Sequence, residues 1–264
     1  VILSHKIGIG TNIFESDWDL LIVLDSCRPD ALEEVENEYE FINDTSEVWS
    51  VGGRTSEWMV NTFSEKYKEK IKDTAYITNA PYAVTVFENR FEKTHHGKEL
   101  SHPDVLRMEK FGSEKYVNHD DFGHFMGIYK SGLKCEHCIS TSKKTNVRAL
   151  TNYAIDLDRN EDYDRIILHY IIPHTPFFAT RSNTGEMAEA NDVYDNINIL
   201  EEGRNINWES YLDNIRWALE EVSLLLENVD REKVVITSDH GKRFSNIRGS
   251  HRCGSLDPSV RKVP

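Results

Sequence analysis

Residues 235–241 read V-I-T-S-D-H-G: an apolar, β-branched run that ends in two good metal ligands. Asp239 and His240 are adjacent, so in a continuing strand their side chains point to opposite faces. At a strand end, Gly241 lets the chain turn, and both can converge on one ion. A carboxylate with an imidazole suits Zn²⁺ or Mn²⁺ better than Ca²⁺, with Mg²⁺ a further option. Residues 18–27, W-D-L-L-I-V-L-D-S-C, repeat the pattern with Asp25 at the end of a five-residue apolar run. Asp25 is the natural third ligand. A lone Asp in such a place also serves to cap a turn. Two such strand ends in one chain weigh toward a metal site.

These residues need elements to position them. Continuous apolar runs suit strands buried on both faces, as in a parallel sheet. After R-P-D, Pro29 and an acidic first turn predict a helix start for residues 31–40, A-L-E-E-V-E-N-E-Y-E. Residues 56–72 predict a second helix, and 74–79, T-A-Y-I-T-N, another strand. Residues 84–140 are polar and rich in His, Lys and Asp, and read as a substrate-side insertion. Residues 145–158 predict a helix, and 164–178, D-R-I-I-L-H-Y-I-I-P-H-T-P-F-F, a strand and a Pro-punctuated loop. Residues 208–227 carry apolar positions at helical spacing. Strands alternating with helices predict an α/β fold: a three-layer α/β/α sandwich with a mostly parallel central sheet, in a single domain over 1–264. Ligands in such sheets bind beyond the carboxyl ends of the strands. There Asp25, His169, His174, Asp239 and His240 would share one edge.

The bulk numbers narrow the function. The chain has 264 residues, 39% hydrophobic and 29% charged, with a formal net charge of −14 and a pI of about 5.2. That disfavours a nucleic-acid polymer or an anionic lipid surface as partner. A small anionic substrate is still accommodated, because a metal ion inverts the local field. No stretch approaches the roughly 20 apolar residues of a membrane helix, and VILSHKIGIG is too short and broken for a signal peptide. The expected location is cytoplasmic. Four cysteines are too few for a disulfide scaffold. Cys135 and Cys138 form a lone C-x-x-C, read as inert or locally structural thiols, half a metal knuckle, or a disulfide. His95, His96, His102, His119 and His124 have no clean ligand spacing.

These motifs also carry a family resemblance. T-S-D-H-G resembles the late metal motif of the alkaline phosphatase superfamily, in its sulfatase-like branch. D-S-C-R-P-D-A-L resembles that branch's first motif, and H-Y-I-I-P-H-T-P-F-F its central H-x-P-H-x-P-F. The motifs stand in family order over roughly residues 15–264. The family continues into another strand where this chain ends at V-R-K-V-P, which implies a further C-terminal piece. The resemblance implies an alkaline phosphatase-like fold and a nucleophile on the metal. S-V-G-G-R, 50–54, keeps the outer spacing of the sulfatase C-x-P-x-R but has Gly52 in place of Pro. G-R-T-S-E, 53–57, resembles the G-K-T-S-[DE] of lipoteichoic acid synthases, where the Thr is the nucleophile. Sulfatases also have a second Asp where this chain has Ser26.

Thr55 is therefore the favoured nucleophile and Ser50 the alternative. A hydroxyl ligated to a dication loses its proton more easily, and a helix N-terminus near Ser56 favours a phosphate. An N-cap role is the ordinary reading of such a Thr. The resemblance places Asp25, Thr55, Asp239 and His240 on the first metal. It places His174 on the transferring phosphate or a second metal, and His251, in R-G-S-H-R, on a second metal as in phosphoethanolamine transferases. Arg54 and Arg28 would neutralise substrate oxygens, although Arg28 is equally suited to pair with Asp30. His169 is either a supporting partner or sheet filling. The implied function is a metal-dependent phosphoester, most naturally phosphodiester, hydrolase or phosphotransferase, acting through a covalent phospho-threonine with one or two divalent ions. Its substrate would be a small-molecule, lipid-headgroup or glycan phosphoester. The alternatives are a sulfate ester hydrolase and a non-catalytic metal-binding scaffold.

Overall fold

The computed structural model describes residues 9–87, 115–130, 138–141, 147–175, 177, 179–181, 187–189, 204–244 and 251–264. In chain order its elements are β1 (Leu20–Leu24), α1 (Pro29–Glu33), β2 (Val48–Trp49), α2 (Thr55–Thr62), α3 (Lys68–Ile71), β3 (Thr74–Thr78), α4 (Tyr82–Phe87), β4 (His124–Lys130) and β5 (Cys138–Thr141). There follow α5 (Val147–Asn160), β6 (Arg165–Tyr170), β7 (Ala179–Arg181), β8 (Met187–Glu189), α6 (Arg204–Leu226), β9 (Val234–Thr237), α7 (Pro258–Arg261) and β10 (Lys262–Val263). No helix among the described residues is long and apolar enough to cross a membrane.

Six strands form one sheet in the order β5-β4-β3-β6-β1-β9, and every pairing in it is parallel. The apolar runs explain the centre: all five residues of β1 and of β3 are buried, as two-sided coverage requires. Residues alternate between two cores. Leu20, Ile22 and Leu24 pack with Leu32, Leu150, Ile215 and Leu219, against α1, α5 and α6. Leu21 and Val23 pack with Trp58, Met59, Ile71 and Val86, against α2, α3 and α4. Helices on both faces of a parallel sheet make the expected three-layer α/β/α sandwich. Two small antiparallel ribbons, β2 with β10 and β7 with β8, lie outside it.

Three expectations are corrected. Within the stretch expected to be an insertion, 84–140, residues His124–Lys130 and the start of β5 at Cys138 instead belong to strands of the central sheet. Residues 56–72 are not one helix. The chain leaves helical geometry at Phe63, whose ring turns into an aromatic cluster with Phe14, Trp58, Tyr76, Phe87 and Phe122. Residues 31–40 give only the short α1 and a 3-10 turn at Glu36–Glu38. Glu34 and Glu38, and Glu36 and Glu40, would stand at i,i+4 in a continuous helix and repel.

Candidate active site

Strand register brings the chemistry to one level. β1 and β6 align Val23 with His169, and β1 and β9 align Val23 with Thr237. Asp25 and Asp239 each lie two residues beyond these partners. Side chains repeat every two residues along a strand. Val23, Asp25, His169, Thr237 and Asp239 therefore face the same layer, the one that holds α2. Thr55 is the first residue of α2. His240 would face the other way. The chain turns after it at Gly241, where a Cβ would collide with the Ser259 carbonyl, and Gly241 N–H donates to Val260 O at 2.8 Å.

Asp25, Thr55, His169, Asp239 and His240 are all buried. The Thr55 hydroxyl stands 3.3 Å from Asp25 Oδ2 and 3.3 Å from His240 Nε2. His240 Nε2 is 3.4 Å from Asp239 Oδ2 and 3.7 Å from Asp25 Oδ1. Its Nδ1 donates to the Gly241 carbonyl at 2.7 Å, which leaves Nε2 bare and aimed inward. Thr55 is no N-cap. That position belongs to Arg54, whose side chain makes no capping bond.

Ser26 ties the two strand ends together. It adopts a positive φ of 69°. Its N–H donates to Asp239 Oδ1 at 3.0 Å and its hydroxyl to Asp25 Oδ1 at 2.9 Å. The remaining Asp239 oxygen, Oδ2, has no hydrogen-bond partner among the described residues, and neither has His169 Nε2. These two orphans lie 3.9 Å apart. Ligand atoms of Asp25, His169 and Asp239 all lie within 4.8 Å of one another. Buried polar atoms left unpaired call for an occupant. Two carboxylates, two imidazoles and a hydroxyl are the donor set of Zn²⁺ or Mn²⁺, so the residues fit a divalent ion. His169, left open by sequence, joins the set through its backward partner: Nδ1 lies 2.9 Å from Tyr76 Oη.

Electrostatics follow from burial. Burial, then the nearby Asp239, pushes the Asp25 carboxyl well above its ordinary range. Burial also raises Asp239, but the His240 and His169 rings and the Ser26 N–H outweigh it and hold this carboxyl low. Burial lowers His169 to about 4. His174 is lowered to about 4 and His251 to about 2, by burial first and then by neighbouring cations and imidazoles. Lys242 falls to about 8 through burial.

The other residues sort clearly. His251 stacks on His240 at 4.7 Å between ring centres, and His174 meets His251 edge-on at 5.3 Å. Both therefore stand beside the cluster. The Arg54 guanidinium donates to Tyr82 Oη at 3.1 Å and lies over that ring. Arg28 pairs with Asp30. Ser50 donates its hydroxyl to the Asp239 carbonyl and accepts from Gly52 N–H. Gly52 stands where the sulfatase pattern has Pro, and a Cβ there would collide with the Trp58 backbone. His124 opens β4, at the edge away from the site, and bonds Tyr153. His119 lies near Phe87 and Asp120. His95, His96, His102 and Cys135 lie outside the described residues. Sequence reasoning missed Lys242, whose signal was its place directly after D-H-G.

No protein-family model and no curated protein matches the chain. Among solved structures it is similar to Ps i-CgsB, at 13% identity over 94% of this chain and 65% of that one, with a TM-score of 0.48. It is also similar to the C-terminal periplasmic domain of EcEptC from Escherichia coli, solved in complex with Zn, at 12% identity over 96% of this chain and 74% of that one, with a TM-score of 0.42. The chain thus spans slightly under two thirds of the length of the first.

Proposed function

We propose that the protein is a metal-dependent phosphoester hydrolase or phosphotransferase, with phosphodiesters its best substrates and Thr55 its nucleophile. One observation carries this reading: the Thr55 hydroxyl, at the start of α2, sits 3.3 Å from both Asp25 and His240, which arrive on two other strand ends. The motif resemblance to the sulfatase-like branch of the alkaline phosphatase superfamily supports it. Asp25, Thr55, Asp239 and His240 would hold a Zn²⁺ or Mn²⁺ ion, with His169 as a further ligand. Bound there, the ion supplies Lewis acidity that eases loss of the Thr55 proton and offsets charge on the ester.

The chain's own residues do the rest. Thr55 Oγ1 attacks phosphorus and the bond to the leaving alcohol breaks. The Oγ1 proton has Asp25 Oδ2 in reach, and the leaving oxygen takes a proton from solvent. Water, or a sugar or lipid hydroxyl, then attacks phosphorus. The bond to Oγ1 breaks, the proton held at Asp25 Oδ2 returns to Thr55 Oγ1, and the acceptor's proton passes to solvent. Thr55 opens α2, so the positive end of that helix dipole would favour the phosphoryl charge. His174 and His251, neutral at pH 7, would contact the phosphoryl oxygens or hold a second ion. Arg54 would contact the substrate. The substrate class is a small-molecule, lipid-headgroup or glycan phosphoester.

The test is metal content of the purified protein together with turnover of bis-p-nitrophenyl phosphate, p-nitrophenyl phosphate and p-nitrophenyl sulfate. The expected result is metal-dependent diester cleavage that Thr55→Ala abolishes and Ser50→Ala retains. Sulfate cleavage lost with Ser50→Ala would move the protein to the sulfatases. Absence of bound metal and of turnover would overturn the reading.

A further inference from the structure

Lys242 directly follows the Asp239-His240-Gly241 turn. Its side chain is only 5% exposed, in a chain of net charge −14 that has carboxylates to spare. Yet its ammonium has no hydrogen-bond partner among the described residues, and none of their ion pairs includes it. Lysine is among the residues least often buried without a partner, and an uncompensated buried charge is costly.

The surroundings say what kind of partner is missing. The ammonium lies 4.8 Å from the centre of the Phe177 ring and 5.8 Å from that of Phe244. Ring faces attract a cation, but far less than burial of the charge costs. The carboxylate whose field reaches Lys242 is Asp25, beyond ion-pair distance. The positive charge in turn acts on His174 and His251. Buried against Phe177 and Phe244 and two residues beyond His240, the ammonium thus shares the fields of Asp25 and of the two flanking imidazoles. Arg28 holds the backbone there, donating to the Lys242 carbonyl at 3.3 Å, while its own charge is taken by Asp30. Once a dication is held by Asp25 and Asp239, their two negative charges are used. Lys242 then faces no remaining anion.

We propose that Lys242 is an oxyanion-binding residue: its ammonium receives the non-bridging oxygens of the phosphoryl group that Thr55 attacks. This rests on the metal-dependent reading of the site. It makes the preferred substrate one whose transferred group itself carries negative charge.

The test is calorimetric titration of inorganic phosphate into the zinc-loaded wild type, Lys242→Met and Lys242→Arg, with zinc content measured for each. Lys242→Met is expected to keep its zinc and to bind phosphate roughly 10- to 100-fold more weakly, the range for a lost charge-assisted hydrogen bond. Lys242→Arg is expected to retain most of the affinity. With zinc and phosphate both absent, Lys242→Met should melt no lower than wild type, since an unpaired buried charge has been removed. If the Met variant does not fold, Lys242→Gln is read by the same criterion. A neutral variant that keeps both zinc and full phosphate affinity overturns the proposal and leaves the metal reading standing. A wild type that takes up no zinc overturns the metal reading. Lys242 is then judged on the metal-free protein, where failure to bind phosphate overturns the proposal too.

Discussion

His169 Nε2 and Asp239 Oδ2 face each other across 3.9 Å, and neither atom has a hydrogen-bond partner among the described residues. Direct hydrogen bonding needs a closer approach, whereas an ion between them would satisfy both. With an ion on Nε2 the ring proton sits on Nδ1, which then donates to Tyr76 Oη, 2.9 Å away, and that bond orients the ring. Such backing groups are typically worth 10- to 100-fold in metal affinity. Tyr76→Phe is therefore expected to weaken zinc binding by roughly that factor while the protein stays folded. Competition against a chelating dye measures it. Unchanged affinity would return His169 to a sheet-filling role.

Thr55→Ser keeps a hydroxyl at the start of α2, and Thr55→Ala removes it. Turnover should survive the first and fall at least ~10³-fold in the second. Ser50 behaves differently, because its hydroxyl is already engaged with the Asp239 carbonyl and the Gly52 N–H. Ser50→Ala should cost roughly 1–3 kcal/mol of stability and leave the diester activity that Thr55→Ala loses. Urea titration alongside steady-state rates separates the two effects. Equal loss of turnover in both variants would undo the assignment of Thr55.

The two ligand-bearing strands were legible because β1 and β9 are unbroken apolar runs closed by Asp. Burial on both faces explains the run in β1, whereas β9 is an edge strand with Val235 exposed, and the parallel pairing of the two places both acids at one end of the sheet. β4 and β5 were not legible. H-F-M-G-I-Y-K offers a short apolar alternation inside a stretch rich in His, Lys and Asp, and the composition of that stretch drowned it. The break at Phe63 depends on a ring packing into residues far away in sequence, which no local pattern reports. His169 was ambiguous because its role depends on strand register. Lys242 was passed over because a lysine is by default read as surface, although it directly follows D-H-G.

His169 also predicts how the metal-free protein responds to acid. Its ring is fully buried, and burial lowers it from 6.5 to about 4. Above pH 6.5 the ring is neutral whether the chain is folded or not. Between about pH 6.5 and 4 the unfolded chain binds a proton that the folded chain refuses, so stability falls as pH falls. The full difference is about 3 kcal/mol for this one group. In chelator-treated protein, the urea midpoint of wild type should drop over this window more than that of His169→Phe. Parallel pH profiles for the two proteins would show that His169 titrates normally.

Tyr211 is buried beneath the loop that carries Asp25. Its hydroxyl donates to the Ser26 carbonyl at 2.7 Å and accepts from Arg28 N–H at 2.9 Å. It thereby braces Ser26 in its left-handed conformation. Ser26 in turn orients both carboxylates, through its N–H to Asp239 and its hydroxyl to Asp25. Tyr211→Phe removes one oxygen and leaves the buried Ser26 carbonyl and the part-buried Arg28 N–H without it, a loss of about 1–3 kcal/mol. For a chain of this size that lowers Tm by roughly 2–10 °C. Since the strain at Ser26 then has less to oppose it, the carboxylates lose their alignment and zinc affinity falls with stability. Ser26→Gly relieves the strain but deletes the Asp25 contact. Zinc affinity should therefore fall in that variant as well, with a smaller change in Tm. If Tyr211→Phe lowers Tm and leaves zinc affinity intact, the tyrosine supports the fold without setting the geometry of the site.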